Sequence, residues 1–399
     1  MRRFFKVTAA VCATGAIISG CAKEADTPRN EDEKLYFDSW MHVHYPQLEK
    51  TGLGIYVIPE YEQEAPESEA EPVADSQYVY VSYTAMNLDG TITGYSEAET
   101  AKLMGEYEEN SSVYYGPRIW TRRSGYLYAG VNEMFSGMGK GDSRRAIIPG
   151  WLMSYDWYGS EEEFINNVSG TNSIYDIKVV DPIDNITQWQ IDSLGRFFAG
   201  GYGEHDFGYL TEDNKFRSYL ESNMISEAKD STDMYGFYFI EITHGEELEP
   251  LDDEESSGDD SGSTGEEDKY DWEKSHFYTT SGSNDTTIYI NYVGRLLNGT
   301  VFDTNVQRVA QDNGLSGGTY EPAAIQWGDS YYQLQMGDES SSSSIIQGFA
   351  MTLWRMHPLG KAIGIFYSNL GYGYSGSGSS IPAYSPLMFE IEIVENPND

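Results

Sequence analysis

Ile288-Tyr-Ile-Asn-Tyr292-Val-Gly294-Arg-Leu296-Leu-Asn298-Gly299-Thr-Val-Phe302-Asp303 is the stretch on which the fold turns. Its first half alternates in the period of a strand with one buried face. Asn298-Gly299 then supplies a turn, because both residues tolerate the backbone a tight hairpin needs. A second stretch aligns with it without a gap: Val79-Tyr-Val-Ser-Tyr83-Thr-Ala-Met-Asn-Leu-Asp89-Gly90-Thr-Ile. A match of this kind marks an internal repeat, and the chain reads as two divergent copies of one β-rich unit.

The flanks of the two stretches agree. Upstream of each lies a shorter strand that starts at glycine, Gly52 to Ile58 and Gly236 to Ile242. Between the strands of each copy runs an acidic stretch poor in apolar residues, Glu60 to Asp75 and Glu246 to Asp271, and both read as solvated loops. Downstream, Leu127 to Met138 and Ile345 to Met356 have the spacing of short amphipathic helices. Each leads to an apolar strand, Ala146 to Pro149 and Ala362 to Phe366, and then to a closing strand, Ile174 to Val179 and Leu387 to Ile393. Ile186 to Phe198 and Lys215 to Ala228 are helically spaced, as is Glu31 to Tyr45. The expected class is α+β. Domains fall at 51–182 and 234–396, joined by a helical linker over 183–233, with an acidic insert at about 246–275.

The formal charge of -39, from 64 acidic against 25 basic residues, repels phosphate backbones and argues against nucleic-acid partners. Residues 1–20 carry Arg2, Arg3 and Lys6 before the short apolar run Val7 to Ile18, the pattern of a signal peptide. The run ends in Ile18-Ser-Gly-Cys21, which resembles the lipobox of bacterial lipoproteins. That resemblance implies cleavage before Cys21, lipidation of its thiol and a cell-envelope location on the outer membrane, periplasmic or surface-exposed. Glu24 and Asp26 resemble the acidic export signal of Bacteroidetes-like surface lipoproteins. Residues 21–50 then form a tether and a short helix. Cys12 and Cys21 are the two cysteines, so after cleavage the chain has neither an internal disulfide nor a catalytic thiol.

The second copy resembles the FKBP-type peptidyl-prolyl cis-trans isomerases. The motif Tyr-x-Gly-x-Leu-x-(polar)-Gly-x-x-Phe-Asp stands at Tyr292 to Asp303. An apolar pair followed by x-Gly-aromatic stands at Ile345-Ile346-Gln-Gly348-Phe349, Tyr-Gly at Tyr372-Gly373, then Ile381-Pro382, and Phe389 in the last strand. Tyr332 falls where the family has an aromatic wall residue. The resemblance implies two domains, each a curved antiparallel sheet wrapped around a short helix, with activity in the C-terminal copy. It implies a cradle of Tyr292, Phe302, Tyr332, Ile346, Phe349 and Phe389 for a proline ring, with Ile345 a further substrate-binding residue and Phe349 the floor where the family usually has tryptophan. Tyr372 would donate its hydroxyl, and Ile346 its backbone N–H, to the substrate carbonyl, and Asp303 would orient neighbouring polar groups.

Such a cradle suits the chemistry. Turning an X-Pro bond means crossing a twisted amide against a barrier of ~18–20 kcal/mol. Twisting removes amide resonance, so the transition state carries less charge separation than either planar end and is favoured where water is excluded. The reaction needs no metal and no cofactor. Expected partners are proline-containing polypeptides, above all unfolded exported proteins, for which unaided isomerisation is slow. The alternative is a non-catalytic module that holds polypeptide or glycan on tyrosine-rich surfaces. A pocket filled by the long 305–330 segment would favour that alternative.

The first copy departs from the motif, with Thr93 and Gly94 at the positions of Phe302 and Asp303 and Val131 at the floor. It is expected to be inactive and to serve binding, spacing or dimerisation. Tyr83 persists, and either Ser154 or Tyr155 falls at the position of Tyr372. His42 and His44 have a spacing that could bind metal on a strand, but packing or surface roles are the expectation. Gly371 to Gly378 lacks the Lys-Ser/Thr ending of a phosphate loop.

Overall fold

The computed structural model describes residues 31–63, 72–73, 76–109, 111–198, 236–246, 287–328, 330–338 and 341–397. The leader with Cys21, the Lys215–Ala228 stretch and most of both acidic inserts lie outside the described residues.

The repeat is a repeat of topology. In the first domain the strands are β1 (Tyr56–Val57), β2 (Tyr78–Asn87), β3 (Ile92–Tyr95), β4 (Arg118–Thr121), β5 (Ser143–Ile148) and β6 (Ser173–Ile183). They run in the order β1-β5-β6-β2-β3, with β4 also on β2. In the second domain β7 (Phe237–Thr243), β8 (Thr287–Leu296), β9 (Val301–Thr304), β13 (Lys361–Phe366) and β14 (Leu387–Val394) take the same places. Their order is β7-β13-β14-β8, with β9 on β8. β10 (Ala323–Gln326) occupies the place of β4, and β11 (Gln335–Asp338) and β12 (Ser341–Ser344) extend that edge.

The central hairpins match residue for residue. Asp89 Oδ1 accepts the Thr91 N–H at 2.9 Å, and Asn298 Oδ1 accepts that of Thr300 at 3.1 Å. Gly90 and Gly299 follow with φ of 87° and 90°, a conformation that a side chain would strain. Each hairpin is bulged at the same step, between Ala85 and Met86 in one and between Gly294 and Arg295 in the other. A bulge re-aims the side chains beyond it. In the second copy those side chains are Phe302 and Asp303.

One short helix packs on each sheet, α3 (Ala129–Glu133) in the first domain and α7 (Gln347–Trp354) in the second. The approach is close. A Cβ on Gly348 would lie 2.4 Å from the Phe366 ring, and one on Gly364 would lie 1.8 Å from Thr352 Oγ1. α1 (Glu31–His44) belongs to the first domain's core through Phe37 and Met41. Thus His42 and His44 lie on a helix rather than a strand, and His44 stacks on Trp40 at 4.4 Å between ring centroids. The expected Gly52–Ile58 strand is short, with Tyr56 and Val57 alone paired to β5. α2 (Ala98–Met104) and α4 (Glu161–Asn167) complete the first domain.

The predicted helix over 186–198 forms, as α5 (Ile186–Phe198), and it touches both domains. Leu194 and Phe197 pack against Ile240, Ile363, Ile365 and Met388, on the face of the second sheet opposite α7. Trp189 packs edge-on to Tyr80 at 5.3 Å and donates to Asp181 at 2.9 Å. Gln190, buried, accepts the backbone N–H of Ser368 at 2.7 Å. No described helix is long and apolar enough to cross a membrane.

Candidate active site

The floor comes first, because α7 sets it. Ile346 caps the helix in extended conformation, and Phe349, buried to 3% exposure, faces the sheet from the first turn. Its ring meets Phe389 edge-on at 5.0 Å and Tyr292 edge-on at 5.7 Å. Phe302 meets Phe389 edge-on at 5.4 Å, and Phe389 lies parallel to Phe366 at 6.0 Å. Edge-to-face aromatic contacts of this kind hold rings in fixed orientation, worth ~0.5–1.5 kcal/mol per pair beyond the area buried. Gly294 leaves the room they need, since a Cβ there would stand 2.6 Å from Phe302 and 2.8 Å from Phe389.

The polar rim is built on the same hairpin. Tyr292 donates its hydroxyl to Asp303 Oδ2 at 3.1 Å. Burial first, then the Asp303 charge and that hydrogen bond, push the Tyr292 phenol well above its ordinary pKa. Burial also raises Tyr372, with the Asp303 charge adding to the effect. Both phenols therefore stay protonated through neutral pH and can donate. Asp303 is exposed at the rim, but protein around its carboxylate desolvates it and raises its pKa. The Tyr292 hydroxyl and the Thr304 backbone N–H work the other way.

Two residues that the sequence reading passed over hold this rim in register. Asn305, buried, accepts the Tyr292 N–H at 2.7 Å and donates to Ile290 O at 2.8 Å and Glu321 O at 3.0 Å. Thr304 donates its hydroxyl to Tyr292 O at 2.6 Å. The clue was available, as two polar residues directly after Phe302-Asp303 where a strand should remain apolar. Ser96 does the same service in the first copy, accepting the Tyr83 N–H at 2.9 Å.

The predicted residues do not all converge equally. Tyr292, Phe302, Asp303, Phe349 and Phe389 form one cluster, with Ile345 and Ile346 packed against the same core. Tyr372 stands near enough to Asp303 to feel its charge and is 37% exposed. Tyr332 is 72% exposed and its ring lies 4.0 Å from that of Tyr331. Of that pair Tyr331 is the one packed against the core, so it supplies the inner wall. The 305–330 segment contributes α6 (Gln307–Asp312) and the sheet strand β10, which pairs with β8, and Trp327 stacks on Trp354 at 5.5 Å.

The first copy lacks this chemistry. Its register places Tyr175 where Phe389 stands, because Ala85 pairs with Tyr175 as Gly294 pairs with Phe389. Gly94 stands beside the Tyr83 ring and offers no carboxylate. Tyr155, one of the two candidates for the position of Tyr372, stacks on Tyr128 at 4.2 Å.

A curved antiparallel sheet closed over one short helix, with an aromatic cup at the helix N-terminus and tyrosine hydroxyls on its rim, defines the class. Residues 279–394, within the second domain, match the family model of the FKBP-type peptidyl-prolyl cis-trans isomerases. A probable FKBP-type peptidyl-prolyl cis-trans isomerase of Haemophilus influenzae is 30% identical over 121 residues, covering 29% of this chain and 39% of the relative. The FKBP-type 22 kDa peptidyl-prolyl cis-trans isomerase of Escherichia coli is 31% identical over 109 residues, covering 27% of this chain and 40% of the relative. The chain thus spans about two fifths of the length of these curated relatives. The solved structure of the three FKBP domains of wheat FKBP73 is 14% identical, covers 86% of this chain and 94% of that one, and has a TM-score of 0.24.

Proposed function

We propose that the protein is a peptidyl-prolyl cis-trans isomerase whose activity resides in the second domain. The observation that carries the reading is the closure of Tyr292, Phe302, Phe349 and Phe389 into one aromatic cup with Asp303 bonded to Tyr292 at its edge. In this reading the proline ring lies on Phe349, and the twisting amide sits in the cup, away from bulk water. The Tyr372 hydroxyl and the Ile346 N–H, which no helical turn uses at a cap position, hold the carbonyl on the substrate's flank. The Tyr292–Asp303 pair keeps the cup from collapsing and fixes a negative charge near the rotating bond. Nothing in the step requires a bond to be made or broken by the protein.

The substrates in this reading are proline-containing segments of exported polypeptides. Its support is the leader, whose basic start, short apolar run and Ile18-Ser-Gly-Cys21 ending fit a lipid-anchored envelope protein. The first domain is non-catalytic, on the ground of Gly94 and Val131. Its tyrosines Tyr83, Tyr128, Tyr155 and Tyr175 favour polypeptide binding or bracing instead.

A protease-coupled assay on the chain from residue 22 onward tests the activity, with Phe302→Ala combined with Asp303→Ala as control. Catalysis that the double variant loses supports the reading. A folded protein with no rate above background overturns it. Incorporation of labelled palmitate that Cys21→Ala abolishes tests the anchor.

A further inference from the structure

We propose that Glu241, His244 and His357 form a binding site for a divalent transition ion of the zinc class. The cluster lies outside the isomerase cup, where the end of β7 meets the turn after α7. His244 Nδ1 stands 3.1 Å from Glu241 Oε2, and the His244 and His357 rings are 4.0 Å apart between centroids, tilted by 37°. One ligand atom from each residue can be chosen so that all lie within 4.8 Å of one another. Ligands at about 2.0–2.1 Å from a tetrahedral zinc are about 3.3 Å apart, so small side-chain rotations suffice. His244 and Glu241 are partly open to solvent, whereas His357 is buried, at 7% exposure.

The backbone under these side chains is already locked. Glu246 donates its N–H to Pro358 O at 2.7 Å, and Gly360 donates to His357 O at 3.0 Å. A Cβ on Gly360 would lie 2.8 Å from His244 O, 2.9 Å from His357 O and 3.1 Å from Thr243 O. Gly245, at φ 90°, is hemmed in by Pro358 O and Gly360. The two histidine-bearing turns are thus held together without any ion, and little order remains to be created on binding. Arg355, the cation close in sequence, directs its guanidinium onto the Phe237 ring at the start of β7 and donates to Met351 O.

Two imidazoles and one carboxylate are the donors of a three-ligand zinc site with its fourth position open. Imidazole nitrogen selects against calcium and magnesium, which take oxygen ligands. Here the open position faces solvent on the His244 side. The ion ties the last residues of β7 to the end of the helix that carries Phe349, and this assignment stands whether or not the cup is catalytic.

The test is calorimetric titration of Zn2+ into untagged, metal-free chain from residue 22 onward, in physiological salt with Mg2+ present to occupy loose acidic sites. One tight equivalent is expected, together with the visible absorption of four-coordinate Co2+ when cobalt replaces zinc. His244→Ala, a change at an exposed side chain that leaves the core intact, should weaken binding at least ~100-fold, and Glu241→Gln and His357→Gln should weaken it as well. His42→Ala with His44→Ala should leave it unchanged. Absence of a stoichiometric tight site overturns the proposal. So does tight binding that survives His244→Ala, or that disappears with the His42 and His44 pair.

Discussion

The Tyr384 hydroxyl lies 3.1 Å from Thr121 Oγ1, in a buried contact between the second domain and the last residue of β4 in the first. It is one of several contacts on a single loop. The Tyr384 ring meets Tyr78 edge-on at 5.4 Å, Tyr374 meets Tyr126 at 6.3 Å, and Tyr114 donates its N–H to Ser379 O at 3.0 Å. Within the loop, Tyr384 adopts φ 59°, unusual for a bulky residue, and donates to Gly373 O at 2.8 Å. That loop carries Tyr372. The degenerate domain is therefore placed to hold the rim of the proposed active site.

Removal of the contact by Thr121→Val with Tyr384→Phe should cost about 1 kcal/mol, the usual net value of one hydrogen bond. If the first domain braces Tyr372, kcat/KM should fall about fivefold with KM the main component, because the carbonyl donor becomes less ordered. Unchanged kinetics with a lowered Tm would mean that the contact joins the domains and does nothing for the site. Tyr83→Phe, in the cup of the first copy, should leave kcat/KM as it is.

Asp303 acts on two phenols at once, and this separates its electrostatic role from simple packing. Asp303→Ala should reduce kcat/KM by at least ~10-fold, or about 1.4 kcal/mol of transition-state stabilisation. It should also lower the pKa of Tyr292, since the charge and the hydrogen bond that raise it are both removed. Ultraviolet titration at alkaline pH reads the phenolate directly. A Tyr292 transition at the same pH in both proteins would remove Asp303 from the account of the site.

Much of this architecture was legible because the signals were local. The period of β8, the Asn298-Gly299 turn and the Ile345-Ile346-Gln-Gly348-Phe349 entry to α7 each declare themselves within a few residues. The serine run Ser341–Ser344 had no such signal. It forms an edge strand by backbone pairing with β11, and Ser342 adds a side-chain bond across the pair, its hydroxyl donating to Gln335 Oε1 at 2.6 Å. The same limit hid the Glu241–His244–His357 cluster and the Thr121–Tyr384 contact, whose members are brought together only by the closed sheet and by the docking of the domains. Phe37 and Met41 on α1 were hidden differently, since a short amphipathic helix does not announce which core receives it.

The seating of α7 on β13 depends on an absent side chain. Gly364→Ala would put a methyl group 1.8 Å from Thr352 Oγ1, whose hydroxyl donates to Gly348 O at 2.8 Å in the middle of the helix. Backbone and helix must shift apart, at a cost of ~1–3 kcal/mol or more. Because Phe349 rides on the same helix, the variant should lose activity out of proportion to its loss of stability. Chemical denaturation together with the isomerase assay compares the two. A folded variant of normal activity would show that the cup tolerates movement of its floor.

Glu390 offers a prediction about pH that is independent of the proposed reaction. It lies on β14 on the face covered by α5, 7% exposed, with Lys361 Nζ 2.5 Å from its Oε1. Burial, and to a lesser degree the charge of Glu392, raise its pKa from 4.5 to about 8. A pKa raised on folding means that the native state holds the proton more tightly than the unfolded chain. Stability from this source is complete below about pH 4.5 and is lost as pH rises through 8. At about 1.4 kcal/mol per unit, the loss is on the order of 5 kcal/mol before the Lys361 contact offsets part of it. Glu390→Gln keeps the shape and removes the ionisation, while Lys361, partly exposed, can turn to solvent. The Tm advantage of Glu390→Gln over the parent chain should therefore grow between pH 5 and pH 9, approximately the window set by the shift. Parallel curves would mean that Lys361 keeps the carboxylate ionised throughout, and that the pair is a buried salt bridge whose attraction matches its desolvation.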